Sequence, residues 1–197
     1  YNGSEQSVTG YEVTSISNEL YKVDDFTFGG TAEAKGTDAG TYDMGLTAED
    51  FTNTSDNFTN VEFVVNDGQL VIEKRNVTLT SGSASKTYDG TALTKDEVTV
   101  TSGSFAEGEG VEYNVTGSQT VVGSSANTFT YTLKDGTKAG NYEIKTENGT
   151  LTVNPVTDKV TVTIKGKTKT EAYNGSEQSV TGYEVTSISN ELYKVDD

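Results

Sequence analysis

Residues 1–25 read YNGSEQSVTGYEVTSISNELYKVDD, and residues 173–197 repeat these 25 letters without a change. The two copies set a period of 172 residues, so the chain holds one full period and the opening of the next. An identity of this length does not arise by chance and is typical of tandem arrays duplicated recently at the gene level. The sequence therefore predicts a repeat protein in which further copies flank this stretch.

A weaker repeat divides the period into two modules. A Tyr-Asn-Gly or Tyr-Asp-Gly triplet begins at Tyr1, Tyr88 and Tyr173, with spacings of 87 and 85 residues. We expect a first module at 1–75 that lacks its leading strand and a second module at 76–155. Residues 156–197 then supply the leading strand and opening part of the next first module.

The triplets allow two interpretations. In the structural one, the tyrosine packs at the edge of the core, the Asn or Asp caps a turn, and the glycine supplies a positive φ. In the functional one, an exposed tyrosine stacks on a sugar ring and the neighbouring acid or amide binds its hydroxyls. Recurrence once per module favours the structural interpretation. The residues concerned are Tyr1, Asn2, Gly3, Tyr88, Asp89, Gly90, Tyr173, Asn174 and Gly175.

Apolar residues alternate with polar ones along most of the chain, which predicts a mostly β fold. In the second module the pattern predicts six short strands, around Val77–Leu79, Val98–Val100, Val111–Val115, Phe129–Leu133, Tyr142–Ile144 and Leu151–Val153. With only 32% hydrophobic residues, two small cores are expected rather than one large core. We predict tandem small β-sandwich-like modules in an elongated array, with a β-grasp-like mixed sheet as the alternative.

Each module also ends in a pattern that predicts a β-hairpin. Asp67-Gly68 and Asn148-Gly149 stand between alternating apolar residues, and such pairs favour tight hairpin turns. The stretch Leu46–Phe51 has a threonine cap followed by acids, so a single helical turn is expected there.

Charge and composition exclude several partners. The formal net charge is −16 and no basic patch interrupts it, whereas binding nucleic acid requires clustered lysine and arginine. No apolar run reaches the roughly 20 residues of a membrane-spanning helix, so no membrane insertion is expected. The chain has no cysteine, which excludes a disulfide framework and is compatible with export.

The same composition argues against an enzyme. Without histidine and cysteine the chain cannot form a Ser-His-Asp triad, a Cys-His pair or a typical zinc site. Paired carboxylates occur at Asp24-Asp25, Glu49-Asp50 and Asp196-Asp197, but adjacent acids in a polar chain are usually solvated turn residues. We expect no catalytic residues.

No cofactor is predicted. Calcium is the alternative, because Asp24-Asp25, residues 50–56 and Asn66-Asp67 could offer oxygen ligands. None of these loops has the spacing of a known calcium loop, so no metal ligand is assigned. An internal Lys-Asn amide crosslink formed beside a buried acid is also left open.

A strand pattern precedes Tyr88 at Val77–Ser81, and its counterpart before Tyr173 runs through Val160, Val162 and Ile164. No such pattern stands before Tyr1, so the first module is expected to have an open sheet edge, and open edges accept added strands. We predict that Val160, Val162 and Ile164 complete the first module of another copy of the chain. The alternative is a longer fibre whose continuing chain supplies the same contacts.

Three stretches carry a family resemblance: residues 74–94, which include Thr87-Tyr88-Asp89-Gly90, residues 117–153 and residues 40–72. They resemble the YDG or MBG-type repeats of cell-wall-anchored surface adhesins of Gram-positive bacteria. The resemblance implies an extracellular, non-enzymatic module at the cell surface, attached to the wall through other parts of the protein. Asn2 and Asn174 depart mildly from the Asp of the family triplet.

Two functions follow from this resemblance as expectations. The first is an extended stalk or spacer, whose partners are neighbouring modules or another copy of the chain. The second is direct adhesion to host glycan or mucin through exposed Tyr, Asn and Thr.

Overall fold

The computed structural model describes residues 1–195. Its content is 41% strand and 5% helix, which confirms the predicted mostly β class. The strands are β1 Gln6–Thr9, β2 Phe26–Phe28, β3 Glu33–Gly36, β4 Gly40–Asp43, β5 Phe51–Asn53, β6 Gln69–Ile72, β7 Arg75–Ser81, β8 Ala84–Thr87, β9 Val98–Gly103, β10 Val111–Val115, β11 Gly123–Asn127, β12 Phe129–Leu133, β13 Tyr142–Glu147, β14 Gly149–Asn154, β15 Val162–Gly166 and β16 Tyr183–Ile188. Short 3-10 turns lie at Val23–Asp25, Ala48–Asp50 and Ala139–Asn141.

The chain forms two compact units, each assembled from separate segments. One unit contains Tyr1–Ser81, Asp96–Val115 and Phe129–Asn148, and the other contains Gly82–Lys95, Thr116–Thr128 and the residues from Gly149 on. The boundaries at residues 75 and 155 follow from the repeat in the sequence and stay a prediction.

The best-packed part of the first unit is a mixed three-stranded sheet with β7 at its centre. Strand β7 pairs in parallel with β13 and antiparallel with β9, so both of its edges are hydrogen-bonded. Alternate residues of β7 face inward, because successive side chains of a strand point to opposite faces. Val77 and Leu79 are each 1% exposed and form a core with Tyr142.

The rest of the first unit is built from two-stranded pairs. The antiparallel pairs are β1 with β3, β2 with β5, β4 with β6, and β10 with β12. Phe51 is the centre of an aromatic cluster beside these pairs. Its ring contacts those of Tyr11, Phe26, Phe28 and Phe63, with centroids 5.1–6.0 Å apart.

The second unit contains a mixed sheet in the order β11, β14, β8 and the antiparallel pair β15 and β16. Strand β14 provides its core, because Leu151 and Val153 are 0% and 1% exposed. Asn127 is also fully buried, and its amide donates hydrogen bonds to the carbonyl oxygens of Gly82 and Lys95 at 2.9 and 2.8 Å.

All six strands predicted for the second module fall within observed strands. The helical turn expected in Leu46–Phe51 is present at Ala48–Asp50, where the Asp50 carboxylate accepts hydrogen bonds from the backbone and hydroxyl of Thr47. Two strands were missed, β8 and β11. Strand β11 begins at Gly123 and Ser124, two residues that carry no apolar side chain.

The two closing hairpins were predicted wrongly. Strand β13 pairs with β7 whereas β14 pairs with β11 and β8, so the chain changes sheets at Asn148 instead of folding back on itself. In the first module β6 pairs with β4, and residues 61–66 form no strand. The physical reason is backbone conformation, because the tight hairpin turn needs positive φ and neither Gly68 nor Gly149 adopts it.

Candidate functional site: the triplet turns and an open groove

The three triplets share one turn geometry. In each, the side-chain oxygen of the Asn or Asp accepts a hydrogen bond from the backbone N–H two residues further on, which defines an Asx turn. The pairs are Ser4 to Asn2 at 2.9 Å, Thr91 to Asp89 at 2.9 Å and Ser176 to Asn174 at 3.0 Å. The glycines Gly3, Gly90 and Gly175 have φ of 84°, 80° and 75°. Glycine adopts this conformation without the steric cost that a Cβ would impose.

Asp89 differs from its two counterparts because it also forms an ion pair. Its carboxylate lies 2.6 Å from the ammonium group of Lys86 and accepts a hydrogen bond from the Thr91 hydroxyl at 2.8 Å. The Lys86 hydrogen bond, followed by those of Thr91, holds the pKa of Asp89 well below its ordinary value. The group is therefore ionised throughout the neutral range.

The tyrosines of the triplets have unequal surroundings. Tyr1 is partly buried, and its ring meets that of Tyr142 edge-on with centroids 5.6 Å apart. The hydroxyls of both tyrosines donate to the two carboxylate oxygens of Glu109. The hydrogen bond to Glu109 is the main cause that raises the pKa of Tyr1 to about 12. Tyr88 is also partly buried, whereas Tyr173 is 94% exposed.

A polar cluster that was not predicted lies near this pair of tyrosines in the first unit. Asp38 accepts hydrogen bonds from the Lys138 ammonium at 2.7 Å and from the Asn141 amide at 2.9 Å. Asn141 is 1% exposed, and its carbonyl accepts the Ala39 N–H at 2.8 Å. The Asn141 hydrogen bond, then that of Lys138, lowers the pKa of Asp38. Lys138 and Asn141 lie 100 and 103 residues after Asp38 in the sequence. A local sequence pattern could therefore not reveal that they meet.

In the loops considered as calcium sites, the carboxylates of Asp25 and Asp67 accept hydrogen bonds from backbone N–H groups. Asp25 accepts the N–H of Lys22 at 2.8 Å, and Asp67 accepts those of Gly45 and Leu46 at 2.9 and 2.8 Å. These backbone hydrogen bonds, that of Leu46 foremost, lower the pKa of Asp67. Within residues 1–195, no three acidic side chains are grouped as a metal site would require. Asp196 and Asp197 lie outside the described residues.

Two asparagines are buried in the part of the chain that the structure describes. The buried polar residues in the described range are Ser81, Asn127 and Asn141. The Asp38 carboxylate that accepts the hydrogen bond of Asn141 is partly exposed. The internal Lys-Asn crosslink stays an open alternative. In the same range, no helix combines the length and hydrophobicity that crossing a membrane requires.

An open groove runs along the first module. It is lined by two segments without regular secondary structure, 11–16 and 61–66, which we call its walls, and by Phe26, Leu46, Phe51 and Phe58. We call it the edge groove, and its volume is about 1150 Å³. In the described chain, the backbone of neither wall makes a hydrogen bond. Tyr11 and Val13 on one wall are 43% and 42% exposed, and Val64 on the other is 81% exposed.

The residues predicted to add as a strand lie in or beside β15. Val162 and Ile164 belong to this strand, and Val160 precedes it. Strand β15 pairs with β16 of the same chain along one edge, and the Ile164 side chain remains 59% exposed. Pairing of β15 with another copy of the chain stays a prediction.

The chain was compared with family models, with curated proteins and with solved structures, and none of them matches it.

Proposed function

We propose that this chain is a non-enzymatic stalk segment of an extracellular bacterial surface protein, in which the modules follow one another as a spacer for an adhesin. The observation that carries the proposal is the unbroken identity of residues 1–25 and 173–197. Recent duplication of a whole unit changes the length of a spacer while preserving its role, whereas an active site gains nothing from added copies. The resemblance to YDG-type repeats supports the same location and role.

A contact that recurs from module to module also supports an array. A Cβ placed on Gly3 would lie 3.2 Å from the Cβ of Ala106, a residue of the second module. A Cβ placed on Gly90 would lie 3.1 Å from Leu192, at nearly the same position in the following module. Gly3 and Gly90 thus each approach an apolar residue of the next module. A contact that repeats in this way can propagate along a chain of modules.

Small-angle X-ray scattering on polypeptides with one, two and three copies of the 172-residue period tests this proposal. A rod should lengthen linearly, so its radius of gyration should approach twice the starting value when the copy number doubles. A compact globule would grow only about 1.3-fold over the same step. Growth of the second kind would contradict the stalk.

Direct adhesion to host glycan or mucin is the second candidate, and the exposed Tyr173 beside Asn174 is the observation in its favour. Tyr1 has the same sequence around it, and its ring packs on Tyr142. A glycan array tests direct adhesion separately from the scattering experiment. Saturable binding that is lost in Tyr173→Ala would favour adhesion over a spacer, because Tyr173 is the exposed tyrosine of the triplets.

A further inference from the structure

The edge groove has the shape of a sheet from which the central strand is absent. In the second module, β7 lies between β13 and β9 and pairs with both. The wall 61–66 corresponds to β13, because each leads into a matching strand, β6 or β14, through Asp67-Gly68 or Asn148-Gly149. The wall 11–16 corresponds to β9 by its place after the triplet. The position of β7 is the groove itself.

One strand of the structure, β15, already pairs with a second copy of the wall 11–16. Residues 183–188 have the same sequence as residues 11–16, and they pair with β15. That pairing has the register of β7 with β9, including a shift between Thr163 and Ile164 that matches the shift between Thr78 and Leu79. The wall 11–16 therefore presents the same residues that already bind β15 elsewhere in the chain.

We infer that the edge groove binds the strand Val160–Gly166 of a second copy of this repeat, which takes the place that β7 occupies in the second module. The inferred antiparallel register sets Val162 opposite Ile16 and Ile164 opposite Val13. The parallel register sets Val162 opposite Phe63 and Ile164 opposite Val65. The antiparallel register is that of β15 with β16, with residues 11–16 in place of the identical residues 183–188. The parallel register is that of β7 with β13, with each residue replaced by its counterpart in β15 or in the wall 61–66.

Burial and hydrogen bonding favour this occupant. Val162 and Ile164 correspond to Val77 and Leu79, which are 1% exposed in the second module. In its own chain Ile164 is 59% exposed and β15 is paired along one edge only. To enter the groove, β15 would leave β16 and pair with the identical residues 11–16 of the other copy, so the antiparallel hydrogen bonds are exchanged one for one. The gain is the pairing of its second edge with residues 61–66.

This contact joins different surfaces of the two copies, since each copy of the repeat offers one strand and one groove. Such head-to-tail contacts produce open chains or closed rings instead of symmetric dimers. The inference deepens the proposed stalk by stating how copies connect, but it does not depend on location at a cell surface.

Sedimentation of the full chain over a range of concentrations tests the inference. The wild-type chain should form a series of oligomers as the concentration rises. Ile164→Asp should abolish this association, because a charge would enter the apolar groove. Thr163→Asp is the matched control, since its side chain points to the opposite face, and it should associate as wild type does. Because Ile164 is largely exposed in its own chain, its substitution should leave the circular dichroism spectrum unchanged.

A cysteine experiment tests the register, because the chain has no cysteine of its own. Opposed residues of antiparallel strands lie within the Cα spacing that a disulfide spans. A mixture of Val13→Cys and Ile164→Cys chains should form mixed disulfides, and a mixture of Val13→Cys and Thr163→Cys chains should not. A synthetic peptide of residues 159–167 should compete with the association, and the same peptide with Ile164→Asp should not.

A chain that remains a single copy at every concentration would overturn the inference, as would association that persists in Ile164→Asp. Equal crosslinking of the two cysteine mixtures would overturn the register. These outcomes are separate from those of the scattering experiment. Tandem polypeptides could form a rod although separate chains never exchange strands, and strand exchange could occur although the tandem polypeptide is compact.

Discussion

At the scale of single residues, the triplet turn depends on a glycine that no other residue replaces without cost. Gly90 combines a φ of 80° with an apolar neighbour, Leu192, only 3.1 Å from the position of a Cβ. Its partner Asp89 closes the turn through side-chain hydrogen bonds. The Tyr-Asp-Gly motif is therefore explained by backbone geometry without invoking a ligand.

We predict that Gly90→Ala destabilises the protein by about 1–2 kcal/mol, because an L-residue with a side chain is strained in the left-handed region. For a chain of this size the thermal midpoint should fall by about 2–8 °C, as measured by differential scanning calorimetry. Gly140→Ala is the control, since Gly140 has no positive φ and no atom within 4 Å of an added Cβ. Equal midpoints for the two variants would contradict this account of the triplet.

At the scale of elements, the strands that the sequence revealed are those with Val, Leu, Ile or aromatic residues in alternation. Strands β8 and β11 were missed because their sequences, ASKT and GSSAN, consist of small and polar residues. They are strands because β14 lies between them and pairs with both. Their apolar burial is supplied by Leu151 and Val153 of β14, so no local pattern marks them.

The central strand β7 should carry a large share of the stability. Leu79→Ala is expected to cost about 2–5 kcal/mol, because truncation of a buried leucine loses transfer free energy and leaves a cavity. Leu20→Ala makes the same chemical change at a residue that is 78% exposed, and it should stay within about 0.5 kcal/mol of wild type. Urea unfolding followed by circular dichroism measures both. A similar loss in the two variants would show that β7 is not the core strand.

At the scale of the whole molecule, the repeat and the compact units divide the chain differently. The sequence repeat shows which residues were copied, whereas a compact unit depends on which strands pair. Strands β7 and β13 pair although about 65 residues separate them, which places residues 129–148 in one unit with residues 1–81. A linear boundary cannot represent such a unit.

The segment between β15 and β16 should be the first point of cleavage by trypsin. Lys167 and Lys169 lie in an exposed stretch without strand or helix, which suits a protease that needs an extended backbone. We expect intact-mass spectrometry at low protein concentration to detect cuts at these residues before any cut at Lys145, which lies within the paired strand β13. Replacing both residues with glutamine should delay the first cut. An early cut at Lys145 would contradict the packing of β13 described above.

The two copies of the duplicated segment show which features depend on local sequence alone and which depend on contacts with distant residues. Its local turns are the same in both copies: Ser4 and Ser176 donate to Asn2 and Asn174, and Leu20 and Leu192 donate to Asn18 and Asn190, all at 2.9–3.0 Å. These hydrogen bonds join residues two apart, so the sequence alone specifies them. The mostly β composition and the six apolar strands of the second module were readable for the same reason.

The strands of the two copies differ although their letters do not. Residues 6–9 form β1 in the first copy, while the same letters at 178–181 form no strand; residues 183–188 form β16, while residues 11–16 remain unpaired. Tyr21 is 8% exposed and its copy Tyr193 is 51% exposed. A strand exists only where a partner meets its backbone hydrogen-bonding groups, and that partner comes from a distant part of the chain. Pairing, burial and the edge groove were therefore decided by the tertiary structure.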